Sequence, residues 1–250
     1  MDVNLGLYFL SEVVGTALLL LLGGGVVANV ILTKTKGFGG GTLMINWGWG
    51  LAVFVGVLAS AYSGAQLNPA VSIALLVHGN IGFSQFLVAI AAQLVGAFLG
   101  AVLTWLVYKQ HFDEEPDPAN KLGVFSTGPA IRSYAWNLVT EIIATFVLVF
   151  SVFAFNDYGD AGIGVPGGIG PLSALPVALV VVGIGASLGG PTGYAINPAR
   201  DLGPRIAHAI LPIKGKGSSD WSYAWVPVVG PLIGGVLAAL LANPLLSLAA

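Results

Sequence analysis

The amino-acid sequence predicts an all-α membrane protein in which six transmembrane helices and two re-entrant half-helices form two inverted repeats within one domain, residues 1–250. Composition is the first indication, because 56% of the residues are hydrophobic and 8% are charged, against roughly a quarter charged in a soluble domain. Six apolar stretches of membrane-spanning length are the second. The third is the tripeptide Asn-Pro-Ala, which occurs twice, at 68–70 and 197–199.

Six stretches approach the length of about 20 apolar residues that crosses a hydrocarbon core as a helix. They cover residues 8–31, 43–62, 84–108, 134–155, 172–188 and 224–246. The first is interpreted as a retained span and not a signal peptide, because it has neither a basic leader nor a convincing cleavage site. Helical pieces at 69–78 and 198–210 are too short to cross. The acidic stretch 109–133 and the Gly-rich stretch 156–171 are predicted to be loops, the second of which joins two halves.

A constant spacing relates these halves. Glu12 and Asn68 each have the same residue 129 positions later, at Glu141 and Asn197. The corresponding repeats cover about 8–108 and 134–246. Because each repeat has three spans, an odd number, the second repeat is predicted to enter the membrane from the opposite side, as inverted repeats do.

The repeated tripeptide is typical of a helix start. Asparagine is a favoured cap, and proline suits the first helical position because its missing N–H has no intrahelical partner there. With inverted repeats, half-helices that begin with Pro69 and Ala70, and with Pro198 and Ala199, are predicted to meet N-terminus to N-terminus near the bilayer midplane. Irregular backbone at that depth is tolerated where it is buried in protein or lines a water-filled cavity. The sequence therefore favours a pore between the halves.

Residue types argue against several other classes of protein. The chain has no cysteine and three scattered histidines, so neither a disulfide, a metal site nor a cofactor is predicted. The net charge of −2 and the lack of a basic tract give no indication of nucleic acid binding. No Ser-His-Asp or paired-acid arrangement indicates an enzyme.

The two Asn-Pro-Ala boxes, the Glu-x-x-x-Thr pattern in the first and fourth spans, and Arg200 after the second box together resemble the aquaporin (major intrinsic protein) family over essentially the whole chain. Asp201, Arg205 and Pro227 are similar to markers of its glycerol-conducting branch, the aquaglyceroporins. The resemblance implies a passive channel for glycerol, water and other small uncharged solutes that excludes protons and ions. It also implies a homotetramer in the lipid bilayer of the cell membrane with both termini cytoplasmic, although the distribution of Lys and Arg alone favours the reverse orientation.

The resemblance further implies a ring of four residues at the narrowest point, the selectivity filter. By resemblance its members are Trp49, Gly185, Tyr194 and Arg200. The glycine leaves an empty side where water-selective members place histidine, and aromatic walls opposite an arginine suit the carbon chain and the hydroxyls of a polyol. The spacing leaves Trp47 and Gly48 open as alternatives to Trp49. Alternatively, the aromatic residues anchor the protein at the membrane interface, and the arginine extends from a helix end towards the headgroups.

Glu12 and Glu141 lie inside predicted spans, where a carboxylate is a functional candidate. They either relay protons in a proton-coupled carrier or accept hydrogen bonds from backbone N–H groups of the re-entrant loops. One acid per loop favours the acceptor interpretation, as does the resemblance. A water-selective channel is a further alternative. Gln66 stands where the family usually has histidine, so pH gating through that position is not expected.

Overall fold

The computed structural model describes residues 3–160, 172 and 174–246, and all regular structure in this part of the chain is helical. The elements are α1 (Leu5–Ile31), α2 (Gly41–Ala59), a 3-10 turn (Ala61–Ser63), α3 (Pro69–His78), α4 (Phe83–Val107), α5 (Lys109–Glu114), α6 (Pro118–Phe125), α7 (Tyr134–Asp160), α8 (Leu175–Leu188), α9 (Pro198–Ile210) and α10 (Val226–Leu246). The predicted all-α class is confirmed. Both predicted half-helices are present, as α3 and α9.

Five of these helices, α1, α2, α4, α7 and α10, are long and apolar enough to cross a membrane. The span predicted at 172–188 is shorter than expected within the described residues, because α8 has 14 residues. At about 1.5 Å per residue it is about 21 Å long, less than the hydrocarbon core of about 30 Å. Pro176 lies in its first turn, the part of a helix that tolerates a residue without an N–H donor.

Two segments predicted to be loops contain helix. The stretch 109–133 holds α5 and α6, and α6 begins where the Asp117 side chain accepts a backbone hydrogen bond of 2.8 Å and Pro118 follows. This cap has the same chemistry as the Asn-Pro starts of the half-helices. Helix α7 continues to Asp160, into the stretch 156–171 that was predicted to be a linker, and the rest of that stretch lies outside the described residues.

Glycines in the last long helix of each half bring that helix close to the first long helix of the same half. In the first half, α1 packs on α4, and a Cβ added to Gly96 would lie 2.5 Å from the Val13 carbonyl oxygen. In the second half, α7 packs on α10, and a Cβ added to Gly230 would lie 2.7 Å from the Glu141 Cβ. Any side chain at these glycines would push the helices apart, so both contacts require glycine.

The half-helices pack across the two halves. Helix α3 lies against α10, and α9 lies against α4. A Cβ added to Gly203 of α9 would lie 2.7 Å from the Ala97 Cβ of α4, while Gly235 of α10 lies against the backbone of Ala70 in α3. Each half-helix is therefore held by the last long helix of the other half, and the region between them requires both halves.

Large apolar side chains are exposed over the outer faces of the long helices. Examples from α1, α4, α7 and α10 are Leu10, Leu22, Leu103, Ile143 and Leu240. Soluble monomers do not usually expose contiguous apolar surfaces of this extent, whereas a lipid-facing surface requires them.

Candidate functional site

The two half-helices meet at their N-termini, as predicted. Asn68 Nδ2 donates to the Ile196 carbonyl oxygen and Asn197 Nδ2 donates to the Leu67 carbonyl oxygen, each at 2.8 Å. Each asparagine also caps its own helix, because Asn68 Oδ1 accepts from the backbone N–H of Ala70 at 2.8 Å and Asn197 Oδ1 accepts from two backbone N–H groups of α9. One amide N–H of each asparagine thus joins the two re-entrant loops.

The loops before these caps have an unusual backbone. Ala65 and Leu67 have φ of 55°, and Tyr194 and Ile196 have φ of 40° and 45°. Residues other than glycine rarely adopt this left-handed backbone conformation. Four of them within two short segments indicate a backbone that is held in place by its surroundings. An alternating conformation of this kind also leaves N–H groups without helical or strand partners, so the loops need acceptors from elsewhere.

Glu12 supplies acceptors for the first loop. Its Oε1 accepts from Ser63 Oγ at 2.5 Å and from the Gln66 N–H at 2.9 Å, and its Oε2 accepts from the Leu67 N–H at 2.8 Å. The side chain is fully buried in α1. Both of its oxygens are therefore used in holding the loop.

Glu141 has the matching contacts in the second loop. Its Oε1 accepts from Thr192 Oγ1 at 2.7 Å and from the Ala195 N–H at 3.0 Å, and its Oε2 accepts from the Ile196 N–H at 2.9 Å. It is 1% exposed. These are the contacts that the acceptor interpretation of the two acids requires.

A cavity of about 670 Å³ lies alongside both loops. Its lining includes Asn80 and Gln85, which follow α3 in the chain, as well as Trp49 and Arg200. Both cap asparagines line it as well. A cavity lined by both loops and by helices from both halves has the form of a solute path.

Trp49 and Arg200 form one wall of this cavity. The Arg200 Cζ lies 4.0 Å from the centroid of the Trp49 ring, within the range of a cation–π contact. Both are buried, at 4% and 7% exposure, and Arg200 Nη1 has no hydrogen-bond partner among the described residues. Trp47 is 48% exposed, and a Cβ at Gly48 would meet Val26 of α1. Of the three alternatives that the spacing left open, Trp49 is the residue brought to Arg200.

Gly185 has a different position from the one expected. It is not part of the cavity lining in the described structure. A Cβ added there would lie 2.6 Å from Asn46 Oδ1 and 2.8 Å from Tyr194 Cζ. The side expected to be empty is thus filled by the Tyr194 ring, which lines the cavity, and by Asn46 behind it. The glycine makes room for the tyrosine.

Asn46 was missed by the sequence reasoning. Tyr194 Oη donates to Asn46 Oδ1 at 2.8 Å, and Asn46 is 4% exposed. The available signal was an uncharged polar residue within an apolar span, one helical turn before Trp49.

Asp201 and Arg205 form a fully buried ion pair beside the site. Arg205 Nε donates to Asp201 Oδ1 at 2.8 Å and Nη2 donates to Asp201 Oδ2 at 3.0 Å. The Nη1 and Nη2 groups also donate to the carbonyl oxygens of Thr127, Ser219 and Asp220. Asp201 Oδ2 accepts from the backbone N–H and the hydroxyl of Thr127, both at 2.8 Å. The pair ties α9 to two loops. The third marker, at position 227, lies in the first turn of α10.

Gln66 and Tyr8 lie together in the wall of the cavity near the first loop. Gln66 Nε2 donates to Tyr8 Oη, and Gln66 Oε1 has no partner among the described residues. Within the described chain there is no cluster of three or more His, Asp or Glu side chains that could hold a metal ion.

The fold and this site define a helical membrane channel, in which two half-helices from opposite halves meet beside one cavity. The chain belongs to the major intrinsic protein family, whose model matches residues 3–242. The predicted resemblance to that family is confirmed.

Relatives and a solved structure agree with this assignment. A probable glycerol uptake facilitator protein of Thermotoga maritima is 53% identical over 236 residues, 94% of this chain and 97% of that protein. Glycerol uptake facilitator protein 3 of Lactiplantibacillus plantarum is 50% identical over 242 residues, 96% of this chain and 98% of that protein. The X-ray structure of the aquaglyceroporin from Plasmodium falciparum matches with a TM-score of 0.84 and 33% identity, covering 98% of this chain and 100% of that chain.

Proposed function

We propose that the protein is a passive channel that carries glycerol and other small uncharged solutes across the membrane, also passes water, and excludes protons and ions. The observation that supports this proposal most strongly is the wall of the cavity at Trp49, Tyr194 and Arg200. The glycerol uptake facilitators to which the chain is similar support the choice of solute.

The constriction suits a polyol because it has an apolar side and a donating side. Trp49 and Tyr194 present aromatic surface for the carbon chain, and Trp49 also supports the guanidinium of Arg200. The unpartnered Arg200 Nη1 can donate to a passing hydroxyl. Gly185 contributes by accommodating the tyrosine ring, which bounds the opening on one side.

Ions are excluded by the charges around the path. The N-termini of α3 and α9, which carry the positive ends of their helix dipoles, meet at Asn68 and Asn197, and Arg200 adds a formal positive charge. In the described part of the chain no Asp or Glu lines the cavity. A cation would therefore lose its hydration without finding a carboxylate to replace it.

The positions of the buried acids support a channel over a proton-coupled carrier. Glu12 and Glu141 are engaged by loop donors on both oxygens and are not part of the cavity lining. The function is transport and not enzymatic catalysis.

The protein acts as a multi-pass protein of the cell membrane, with both termini cytoplasmic, and assembles as a homotetramer in the lipid bilayer. The exposed apolar faces of the long helices support contact with lipid. The family resemblance supports the orientation and the tetramer.

Light scattering of proteoliposomes tests the proposal. Vesicles with and without the protein are mixed with solutions of sucrose, glycerol or urea to create a solute gradient, and proton flux is recorded in parallel. In a glycerol gradient we expect vesicles with the protein to swell faster than protein-free vesicles, at a rate proportional to the gradient. We expect the proton flux to be the same in both. Fast water flux with glycerol uptake no faster than in protein-free vesicles would instead show a water-selective channel. Saturable uptake that depends on a proton gradient would show a carrier.

A further inference from the structure

We propose that Asn46 determines the solute selectivity of this channel by fixing the position of Tyr194, an inference that rests on the proposed glycerol channel. Asn46 lies in α2 outside the cavity lining, so it does not touch the solute. It is a positioning residue, and its effect on the solute passes through the tyrosine ring.

The first observation is the hydrogen bond between the two side chains. Tyr194 Oη donates to Asn46 Oδ1 at 2.8 Å, and the residues are 8% and 4% exposed. Because Tyr194 lines the cavity and Asn46 does not, this bond directs the hydroxyl out of the solute path. The cavity then meets the apolar ring of the tyrosine and not its polar end.

The second observation is that α8 packs closely against the tyrosine ring, which also lines the cavity. A Cβ at Gly185 would lie 2.8 Å from Tyr194 Cζ, and a Cβ at Gly189 would overlap Tyr194 Cδ1, so α8 is in close contact with the ring. The ring also lines the cavity. Packing therefore prevents motion towards α8, whereas motion into the cavity is opposed by the hydrogen bond to Asn46.

The third observation is that α2 serves both aromatic walls. Asn46 and Trp49 are three residues apart on this helix, so their side chains project on neighbouring parts of one face. Asn46 holds Tyr194 and Trp49 holds Arg200. One turn of one helix thus positions two elements of the constriction that the other half of the chain contributes.

An apolar residue at position 46 would leave the tyrosine hydroxyl without an acceptor. A buried hydroxyl without a partner is unfavourable, and the adjacent space that holds water and solute is the cavity. The hydroxyl would turn into the solute path, where it narrows the opening and replaces apolar surface with a polar group. Glycerol would be hindered more than the smaller water molecule.

The experiment compares Asn46→Leu in two backgrounds, the wild-type chain and Tyr194→Phe. In proteoliposomes with matched amounts of protein, the ratio of glycerol to water permeability is measured for all four proteins. We expect Asn46→Leu to lower the ratio several-fold in the wild-type background. In the Tyr194→Phe background there is no hydroxyl to misplace, so Asn46→Leu should produce no further change.

Asn137→Leu is the matched control, because Asn137 is also 4% exposed and hydrogen-bonded, to the Ser133 N–H and the Ile131 carbonyl oxygen, but lies away from the cavity lining. Its permeability ratio should stay at the wild-type value. If Asn46→Leu does not fold, Asn46→Ala is measured in the same two backgrounds. It removes the same acceptor and introduces no larger side chain.

An unchanged ratio in a folded Asn46 variant would overturn the inference, as would an equal fall in both backgrounds, which would place the effect outside the tyrosine. Either result leaves the glycerol channel intact if the wild-type protein conducts glycerol. A wild-type protein that does not conduct glycerol would overturn the proposed function itself.

Discussion

The two re-entrant loops have the same support but different chemistry. Glu12 and Glu141 make equivalent hydrogen bonds to a hydroxyl and to two consecutive backbone N–H groups of their loops. The glycines that precede the cap asparagines, at 64 and 193, have φ of 81° and 79°. The duplicated residues therefore determine the backbone conformation of both loops.

Two residues of the proposed filter have no duplicate in the first half. Counting 129 positions back from Tyr194 and Arg200 leads to Ala65 and Val71, which also line the cavity. At these two positions the first re-entrant segment thus supplies small apolar groups and the second an aromatic ring and a charge. The difference shows that the two segments share a scaffold, while only the second supplies side chains to the proposed filter.

A second difference lies in how each half-helix is anchored. Position 72 in α3 is a serine that accepts from Gln93 Nε2 at 2.9 Å, and the same amide donates to Glu12 Oε2 at 2.8 Å. The equivalent position in α9 is Asp201, which pairs with Arg205 and reaches outward to Thr127. The first half-helix is tied inward to its acid, and the second is tied to the loops outside it.

Breaking the second anchor should have the largest effect. Arg205→Leu introduces the leucine found at the equivalent position, 76, and leaves Asp201 buried without its cation, a change that typically costs about 3–5 kcal/mol. The unfolding temperature of detergent-solubilised protein should fall strongly. The double variant Asp201→Ser with Arg205→Leu reproduces Ser72 and Leu76 of the first half and should recover part of the loss. Equal destabilisation of the single and double variants would show that the unpaired charge is not the cause.

Replacing the loop acids tests whether their roles are equivalent. In Glu12→Gln and in Glu141→Gln an amide N–H faces a backbone N–H, and a buried donor left unsatisfied costs about 1–3 kcal/mol. Both variants should be less stable by a similar amount, with an unchanged ratio of glycerol to proton flux. Glu114→Gln, at a site where the carboxylate side chain is 57% exposed, is the control and should behave as wild type. Normal stability with altered proton flux in either buried variant would support a proton relay.

Arg200→Val makes the second half resemble the first at its most different position, since Val71 is the equivalent residue. At 4 Å the charge of Arg200 repels a passing cation by about 1–4 kcal/mol. Removing it should raise proton or sodium leak by about tenfold, while glycerol still passes. The effect should be partial because the two helix N-termini remain. Lys34→Val, at an exposed charge on another surface, should leave both fluxes unchanged. If Arg200 only snorkels, the ratio of the two fluxes will not change.

The smallest effect should come from an exposed ion pair on the outer loop to which Arg205 ties the second half-helix. Arg132 donates to Asp220 and holds the pKa of that carboxyl below its usual value. Because the folded-state pKa is the lower one, the contribution to stability is complete above about pH 4 and declines as the pH falls through the folded-state pKa. For a partly exposed pair it is at most about 1 kcal/mol. Unfolding temperatures measured from pH 7 down to pH 3 should fall slightly more for wild type than for Asp220→Asn, and identical curves would contradict this.

The sequence was most informative where the relevant contacts are local or duplicated. The caps at Asn68 and Asn197 bond to N–H groups two or three residues away, so a short motif contains the whole interaction. The acids could be assigned a common role because each occurs once per half at a constant spacing. The short α8 and the helices within 109–133 were not predicted, because hydropathy and turn residues determine element boundaries poorly.

By itself, then, the sequence determined the helical membrane class, the paired half-helices and the residues on which both loops depend. Only the tertiary structure decided which tryptophan meets Arg200 and what fills the space at Gly185. The physical reason is that these outcomes depend on the rotation of α2 against its neighbours. A Cβ at Gly48 would meet Val26 of α1, and one at Gly50 would lie 2.8 Å from the Ala178 carbonyl oxygen of α8. These close contacts turn Trp49 and Asn46 towards residues about 150 positions away, a distance over which local sequence patterns carry no information about packing.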